Sequence, residues 1–594
     1  MKKGQAQNDV DECEEATEEE EGQIGEQSGS SELSEDELKV KLCDSTVVAF
    51  SSLVATVLAL DFSETSNNDF RSRTINLILK RFKVSPQVER GIKGLLTSSN
   101  LDIVPFISTI KSDKLIRENG SALLFAELVA AFVGTGVYDC RYRVLMQHLA
   151  ALLSLSWELV EDIEYNVAHL LIDEEYVETQ EAVAARAKQE RNKKIKRYAL
   201  IGISGTVGGV LIGLTGGLAA PLVAAGAGVV VGSGVAAGIA TTAGAAILGS
   251  LFGVAGAGLA GYKMNKRVGA IEEFSIETLR DGGSLHVAIG VSGWIEEEGV
   301  SAFSWAWRHL DLSKEQYCLR FESKYMLELG KAMDYFMGIA VSYAVQQTLM
   351  ETALATLVSA VAWPVALLSV ASVLDNPWNV CVRRSAEVGH HLADILLARQ
   401  QGQRPVTLLG FSLGARVIYH CLQEMAKRPH CQGVVEDVVL LGAPVAGSSK
   451  EWRTLCRVVG GRLINGYCQT DWLLRFLYRT MSVQLSIAGT APVATGERKI
   501  INVNLSHIIK GHMDYRHKLT EVLEAVGVRV TPHSIASSSQ SLNSMSQLTL
   551  NNSNSTSNVN DNAAANTAHG VDNGTSTDCA VASAQKESSS TYNS

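Results

Sequence analysis

The chain has 594 residues, 46% of them hydrophobic and 19% charged, with a formal net charge of −11. That length accommodates roughly two to four domains, and the acidic balance argues against nucleic acid as a main partner. Its 10 cysteines stand singly, without a Cys-x-x-Cys pair, so the reading is a reduced, cytosol-facing protein with no disulfide framework, metal site or cofactor.

Residues 1–40 are rich in Glu, Asp, Ser and Gln and lack an apolar h-region after Met1. No cleavable signal peptide is expected. The stretch reads as a disordered acidic tail, either simply solvated or serving as an adaptor-binding segment. Residues 41–198 then change to helical periodicity. Candidate helices are Val47–Asp61, Arg73–Phe82, Ser121–Phe132 and Arg143–Leu171, which makes an all-α domain. His148 and His169 lie on helical patterns and read as surface or core residues rather than ligands. A polar helix from Asp173 to Arg197 ends this domain in a basic run, from Arg186 and Lys188 to Lys196 and Arg197.

From Ala199 to Tyr262 no residue is charged, and small residues recur at four-residue steps, as in Gly205, Gly209, Gly213 and Gly217. A membrane-spanning helix needs about 20 residues, so residues 199–263 read as a glycine-rich transmembrane hairpin. Small residues let two helix backbones pack closely where lipid supplies no hydrophobic drive. Lys263, Lys266 and Arg267 follow, so basic residues flank both ends and place both on the cytosolic side. A buried soluble hairpin and a membrane-inserting element are the other readings of the same run.

Residues 264–530 alternate strands and helices, the signature of an α/β fold with a doubly wound sheet. Ser284–Gly290 is a strand that runs into Gly290-Val-Ser-Gly-Trp294, where Ser292 and Gly293 are candidates for a second oxyanion donor. Tyr317–Glu322 is the next strand. An insertion follows at about residues 335–376, with an uncharged run from Ala353 to Leu374. It reads as a third span, a re-entrant helix or an apolar cover over a site. A helix from Trp378 to Arg399 leads back to the sheet.

Pro405 to Gly414 carries the strongest signal for chemistry. The apolar run Val406–Leu409 breaks on Gly410, Ser412 follows, and a helical pattern starts beyond Gly414. Strand, tight turn and helix around Gly-x-Ser-x-Gly are what a nucleophile elbow requires. Gly410 and Gly414 are then explained by crowding between strand and helix, and the Leu413 N–H is turned toward a developing oxyanion. Further strands are read at Val438–Pro444, Val458–Tyr467 and Lys499–Leu505. In such a fold the acid and the base follow the serine, each after a later strand. Asp471 lies four residues past Tyr467 and suits the acid, whereas Asp437 begins its strand at the wrong end. His512, after the last strand, suits the base; His507 and His517 are its rivals. Residues 531–594 are a Ser- and Asn-rich tail, disordered by composition.

The combination of Gly410-Phe-Ser-Leu-Gly-Ala-Arg416, Leu441-Gly-Ala-Pro444, Asp471-Trp472, Gly511-His-Met-Asp-Tyr515 and the glycine-rich hairpin resembles one family. It is the transmembrane and coiled-coil domain-containing protein 4 type, and the resemblance covers roughly residues 45–525. It implies an α/β-hydrolase-like domain with an intact Ser-Asp-His set and leaves the substrate open. Two classes of function follow. One is a membrane-bound serine hydrolase acting on an ester or acyl lipid through Ser412, His512 and Asp471. The other is a membrane-anchored interaction or trafficking protein that uses the same domain as a scaffold.

Overall fold

A computed structural model describes residues 42–98, 102–173, 271–346, 365–478 and 486–531, with residues 247, 249–252, 259, 262 and 263 between them. Both expected tails, the basic end of the polar helix, residues 199–246 of the glycine-rich run and residues 353–364 of the insertion lie outside the described residues.

Among the described residues, the N-terminal region contains eight helices: α1 (Asp44–Asp61), α2 (Asn68–Arg81), α3 (Pro86–Leu95), α4 (Val104–Ser112), α5 (Lys114–Asn119), α6 (Ala122–Val133), α7 (Cys140–Leu153) and α8 (Trp157–Asp173). Among the described residues, α1 is the one helix long and apolar enough to cross a membrane. Its Phe50, Leu53, Val54 and Leu58 are nevertheless fully buried, so α1 is the central helix of this region's own core. Asp113 ties it down: one carboxylate oxygen accepts from the Thr46 hydroxyl at 2.7 Å, and the other caps α5 by accepting from the Leu115 N–H at 2.8 Å. The helix expected over Arg143–Leu171 is two helices. Ser154 turns the chain at φ +58°, and the Leu155 N–H donates back to the Ala150 carbonyl at 2.9 Å. Neither glycine nor proline marks this break, because the αL cap is held by packing rather than by a permissive residue.

The second half is mixed α/β. One seven-stranded sheet contains β1 (Phe274–Arg280), β2 (Val287–Val291), β3 (Glu315–Phe321), β4 (Val406–Phe411), β5 (Val435–Leu441), β6 (Leu463–Tyr467) and β7 (Ile500–Asn504). Its order is β1-β3-β2-β4-β5-β6-β7. Only β1 runs antiparallel, against β3; all other pairs are parallel. Strands β2, β4 and β5 are buried along their whole length, as central parallel strands covered on both faces must be. β1 has no counterpart in the sequence reading, and β6 begins at Leu463 rather than Val458. Between β2 and β3 a single 3₁₀ turn, Trp305–Trp307, stands in place of a helix.

Among the described residues, three helices lie between β3 and β4: α9 (Ser323–Gln346), α10 (Val365–Ser369) and α11 (Ala371–Leu397). α9 runs straight past Tyr335, where the insertion was expected to begin. α11 starts before Trp378 and passes through Pro377, because burial of Leu374 and Trp378 on its two sides offsets the roughly 3 kcal/mol that an internal proline costs. Beyond the elbow lie α12 (Leu413–Ala426), α13 (Ser449–Cys456), α14 (Trp472–Leu477), α15 (Asp514–His517) and α16 (Leu519–Ala525).

The end of the glycine-rich run belongs to the folded body, which corrects the expected membrane hairpin at that end. Ile247, Leu251 and Phe252 are buried in the helical region's core. The Ser250 carbonyl accepts from the Gln403 N–H at 3.0 Å, and its hydroxyl donates to the Gly136 carbonyl at 2.6 Å. Leu259 is buried in the sheet's core, and Lys263 bridges Ser275 on β1. An apolar, small-residue sequence reads alike for lipid and for a protein core, so only partners distant in sequence reveal this boundary.

A buried charge cluster joins the two halves where β4 and β5 begin. Arg143 of α7 pairs with Glu164 of α8 at 2.6 Å and with Glu436 of β5 at 3.0 Å. Tyr138 donates to Glu164, Gln147 donates to Glu436, and His286 stands 3.5 Å from Glu436. One guanidinium thus faces two fully buried carboxylates, with Glu161 a third, partly buried one at 3.5 Å. Burial pushes the Glu436 carboxyl from 4.5 up to about 8, with Arg143 opposing. A raised carboxyl stabilises the fold while protonated, so this contribution is complete below about 4.5, declines as pH rises and is gone above about 8. His286, which burial holds well below 6.5, has the opposite sign and weakens the fold as pH falls through 6.5. Glu436→Gln isolates the first effect. Thermal unfolding of the solubilised full chain is expected to lose stability between pH 5 and 8 more steeply in wild type than in Glu436→Gln; parallel profiles would contradict the assignment.

Candidate active site

β4 ends on Phe411 and α12 begins at Leu413, so Ser412 makes the whole turn at φ 52° and ψ −123°. A non-glycine residue there is strained, at a cost of about 1–3 kcal/mol. Surrounding contacts hold it. The Ser412 N–H donates to the Leu441 carbonyl on β5 at 2.9 Å, and its own carbonyl accepts from the Arg416 N–H at 3.1 Å. Both flanking glycines sit where no β-carbon fits. One at Gly414 would lie 2.0 Å from the Val291 carbonyl oxygen, and one at Gly410 would lie 2.7 Å from the Gly414 carbonyl carbon. Arg416 links the elbow to its surroundings by donating to the Pro444 carbonyl at 3.0 Å and the Val382 carbonyl at 3.2 Å.

The structure brings Ser412, His512 and Asp471 together in series. His512 Nε2 is 2.7 Å from Ser412 Oγ, and His512 Nδ1 is 2.6 Å from Asp471 Oδ2. Asp471 stands four residues beyond β6 and caps α14, with Oδ1 accepting from the Leu474 N–H at 3.0 Å. That cap leaves the second oxygen fixed on the imidazole. All three residues sit in the connections that leave the C-terminal ends of parallel strands β4, β6 and β7. Each side chain is closed off from water: Ser412 is 1% exposed, Asp471 and His512 are 0%.

The rivals are elsewhere. His507 is exposed; His517 stands 3.2 Å from Glu296 and against Trp305; Asp437 pairs with Arg462 at 2.7 Å. His148 pairs with Asp61, and His169 packs edge-on against Tyr165. On the oxyanion side, the Ser292 hydroxyl is already engaged, donating to the Phe303 carbonyl and accepting from Trp307 Nε1. Only backbone is left there to serve. Gly293 lies against the nucleophile itself: a β-carbon on it would be 2.5 Å from Ser412 Cβ and 3.2 Å from the Leu413 nitrogen.

Two aromatic residues complete the surroundings and were not anticipated. Trp294 stacks on the His512 ring at 5.6 Å and meets Phe411 edge-on at 5.2 Å. Tyr515 packs edge-on against His512 at 5.7 Å, and burial, then the neighbouring Asp471, drives its hydroxyl well above 10. Both residues end quoted motifs, Gly290–Trp294 and Gly511–Tyr515, the one sequence signal by which they could have been found. Among the described residues no group of His, Cys, Asp and Glu is placed to hold a metal ion.

Residues 193–529 match a family described as protein of unknown function DUF726. A Caenorhabditis elegans protein named uncharacterized membrane protein F35D11.3 is 56% identical over 84% of this chain and 82% of its own length. The Oryza sativa subsp. japonica protein named transmembrane and coiled-coil domain-containing protein STS1 is 36% identical over 65% of this chain and 60% of its own length; its name is that of the group the sequence motifs resemble. A Saccharomyces cerevisiae protein named probable lipase MIL1 is 30% identical over 75% of this chain and 42% of its own length. No solved structure matches the chain.

Proposed function

Because the chain belongs to the DUF726 family, and its relatives include proteins named as membrane proteins and a probable lipase, we propose that it is a membrane-bound serine hydrolase. Its domain is then of the α/β-hydrolase type, cleaving an ester or acyl lipid. The observation that carries this reading is the hydrogen-bonded series from Ser412 through His512 to Asp471, on a strained strand-to-helix turn. Strained non-glycine backbone persists only where surrounding structure holds it, and it clusters at active sites.

In this reading Ser412 Oγ attacks the acyl carbonyl while His512 Nε2 takes its proton. The Asp471 carboxylate accepts from Nδ1–H, which fixes the tautomer and stabilises the imidazolium. Backbone N–H groups of Leu413 and of the Ser292–Gly293 turn donate to the oxyanion. His512 then protonates the leaving alcohol, and water repeats the sequence on the acyl-enzyme. The uncharged residues 199–246 have the length of two spans of about 20 residues each, with the soluble parts on the cytosolic side.

Complete burial of Ser412 is the one observation that favours the second reading, a non-catalytic membrane-anchored scaffold. Ester hydrolysis by the reconstituted full chain separates the two. Release of fatty acid from a long-chain ester, blocked by a serine-directed inhibitor, is the expected result; an inert protein would support the scaffold. Carbonate extraction checks the anchor, and release of the full-length chain would overturn it.

A further inference from the structure

We propose that the face along the sheet edge that carries Ser412 is a second membrane-contact surface, which inserts apolar side chains into a phosphatidylcholine bilayer independently of the glycine-rich segment. It rests on the hydrolase reading only for its consequence, the supply of lipid to Ser412.

Exposed large apolar side chains are unevenly placed. In the sheet half, among the described residues, they are Val300, Trp305, Tyr335, Val341, Val365, Leu368, Val373 and Ile501. Ile501 lies on β7 at the sheet's far edge. The other seven all lie on segments around the edge that carries Ser412. Val300, at 90% exposure, and Trp305 belong to the connection leaving β2. α9 leaves the adjacent strand β3 and passes beside the site. A β-carbon at its Gly330 would touch the Ile295 carbonyl next to Trp294, and its Phe336 packs on Trp472 and Phe476 of the helix that Asp471 caps. α11 returns from the same side, with Trp378 against Tyr478. Scattered apolar residues are ordinary on a protein surface, but a set gathered at one edge marks an interaction face.

The sequence of this face says what it meets. Helices α9 and α10 carry exposed Tyr335, Val341, Val365 and Leu368. From Tyr335 to Leu374 the sequence carries one charged residue, Glu351. A stretch so poor in charge, with Val365 at 81% exposure and Leu368 also exposed, suits a hydrocarbon surface rather than water. At the rim, Trp305 lies between two guanidiniums, with Arg308 at 3.9 Å and Arg516 at 4.9 Å from its ring. An aromatic ring flanked by cations fits the level of lipid headgroups. Glu296, Glu297 and Glu298 share that rim, so its charge is mixed and a zwitterionic bilayer suits it better than an anionic one. Within the glycine-rich run, Ile247–Phe252 is fixed beside Gly402 and Gln403 ahead of β4, at the opposite edge of the sheet, whereas Lys263 bridges Ser275, beside the C-terminal end of β3.

Benzoylphenylalanine placed at Leu368 or Val300 of the full chain, reconstituted in dioleoylphosphatidylcholine vesicles, tests this directly. Both positions are exposed, so folding is retained. The control position is Val104, 65% exposed on the helical region. The expected result is about tenfold more lipid adduct at 368 and 300 than at 104, as for sites in lipid against one in water. Adduct equal to that at 104, or adducts joining two copies of the chain or another protein, would overturn the surface. Serine-directed labelling of the same preparation reads the hydrolase separately. Adducts without labelling keep the surface and remove the enzyme; labelling without adducts does the reverse.

Discussion

Replacing Ser412 with alanine is expected to lower turnover by a factor on the order of 10⁴ or more, with little change in membrane insertion or unfolding temperature. The hydroxyl's hydrogen bond is to His512, while the turn is held by backbone contacts to Leu441 and Arg416 that alanine keeps. His512→Ala loses comparable activity and also stability. It empties a fully buried site between Trp294 and Tyr515 and takes one hydrogen-bond partner from the buried Asp471 carboxylate, a loss of about 1–3 kcal/mol. Asp471→Asn is somewhat milder. The amide oxygen still caps α14, but the imidazole no longer has an acceptor at Nδ1 to hold its tautomer. His507→Ala, on an exposed side chain, retains most activity. Comparable losses from His507→Ala and His512→Ala would contradict the assignment.

Gly293→Ala is expected to cost about 1–3 kcal/mol of stability, as overpacking does, and about 10²–10³ in turnover, the loss when one oxyanion donor is displaced. The new β-carbon would stand 2.5 Å from both the Phe411 carbonyl oxygen and Ser412 Cβ. Neither can yield alone, since Phe411 is the last residue of β4 and Ser412 is already strained. Relief has to come from the turn itself, which moves the donor and the nucleophile apart. A comparison with Ser292→Ala is informative, because that change removes only a hydroxyl bonded to Phe303 and Trp307 and spares the backbone donor. Its expected signature is lost stability with turnover largely kept. If Gly293→Ala keeps full turnover, the turn is not part of the oxyanion site.

Sequence made the site legible because its constraints are short-ranged. An elbow needs a strand, two small residues and a helix within ten positions, and the acid and base each follow a strand end. Chain order with strand ends therefore led to Asp471 and His512 over Asp437 and His507. Features that depend on distant partners stayed hidden. Arg143 and Glu436 lie 293 residues apart, and neither residue announces the other. β1 is an edge strand defined by direct pairing with β3, which follows it in the chain only after β2. The break at Ser154 has no glycine or proline to mark it. Residues Ile247–Phe252 carry the composition of a membrane segment and the burial of a core. Trp294 was in view as the end of a glycine turn, but its stack on His512 depends on where the last strand delivers that ring.

Covalent labelling of the full-length protein in its membrane by a fluorophosphonate probe tests the central claim most directly, with the modified peptide identified by mass spectrometry. The account predicts one adduct, on Ser412, absent from Ser412→Ala and strongly reduced in His512→Ala although the serine is still present. A wild-type protein inert to every serine-directed probe, or one labelled equally well without Ser412, would contradict it.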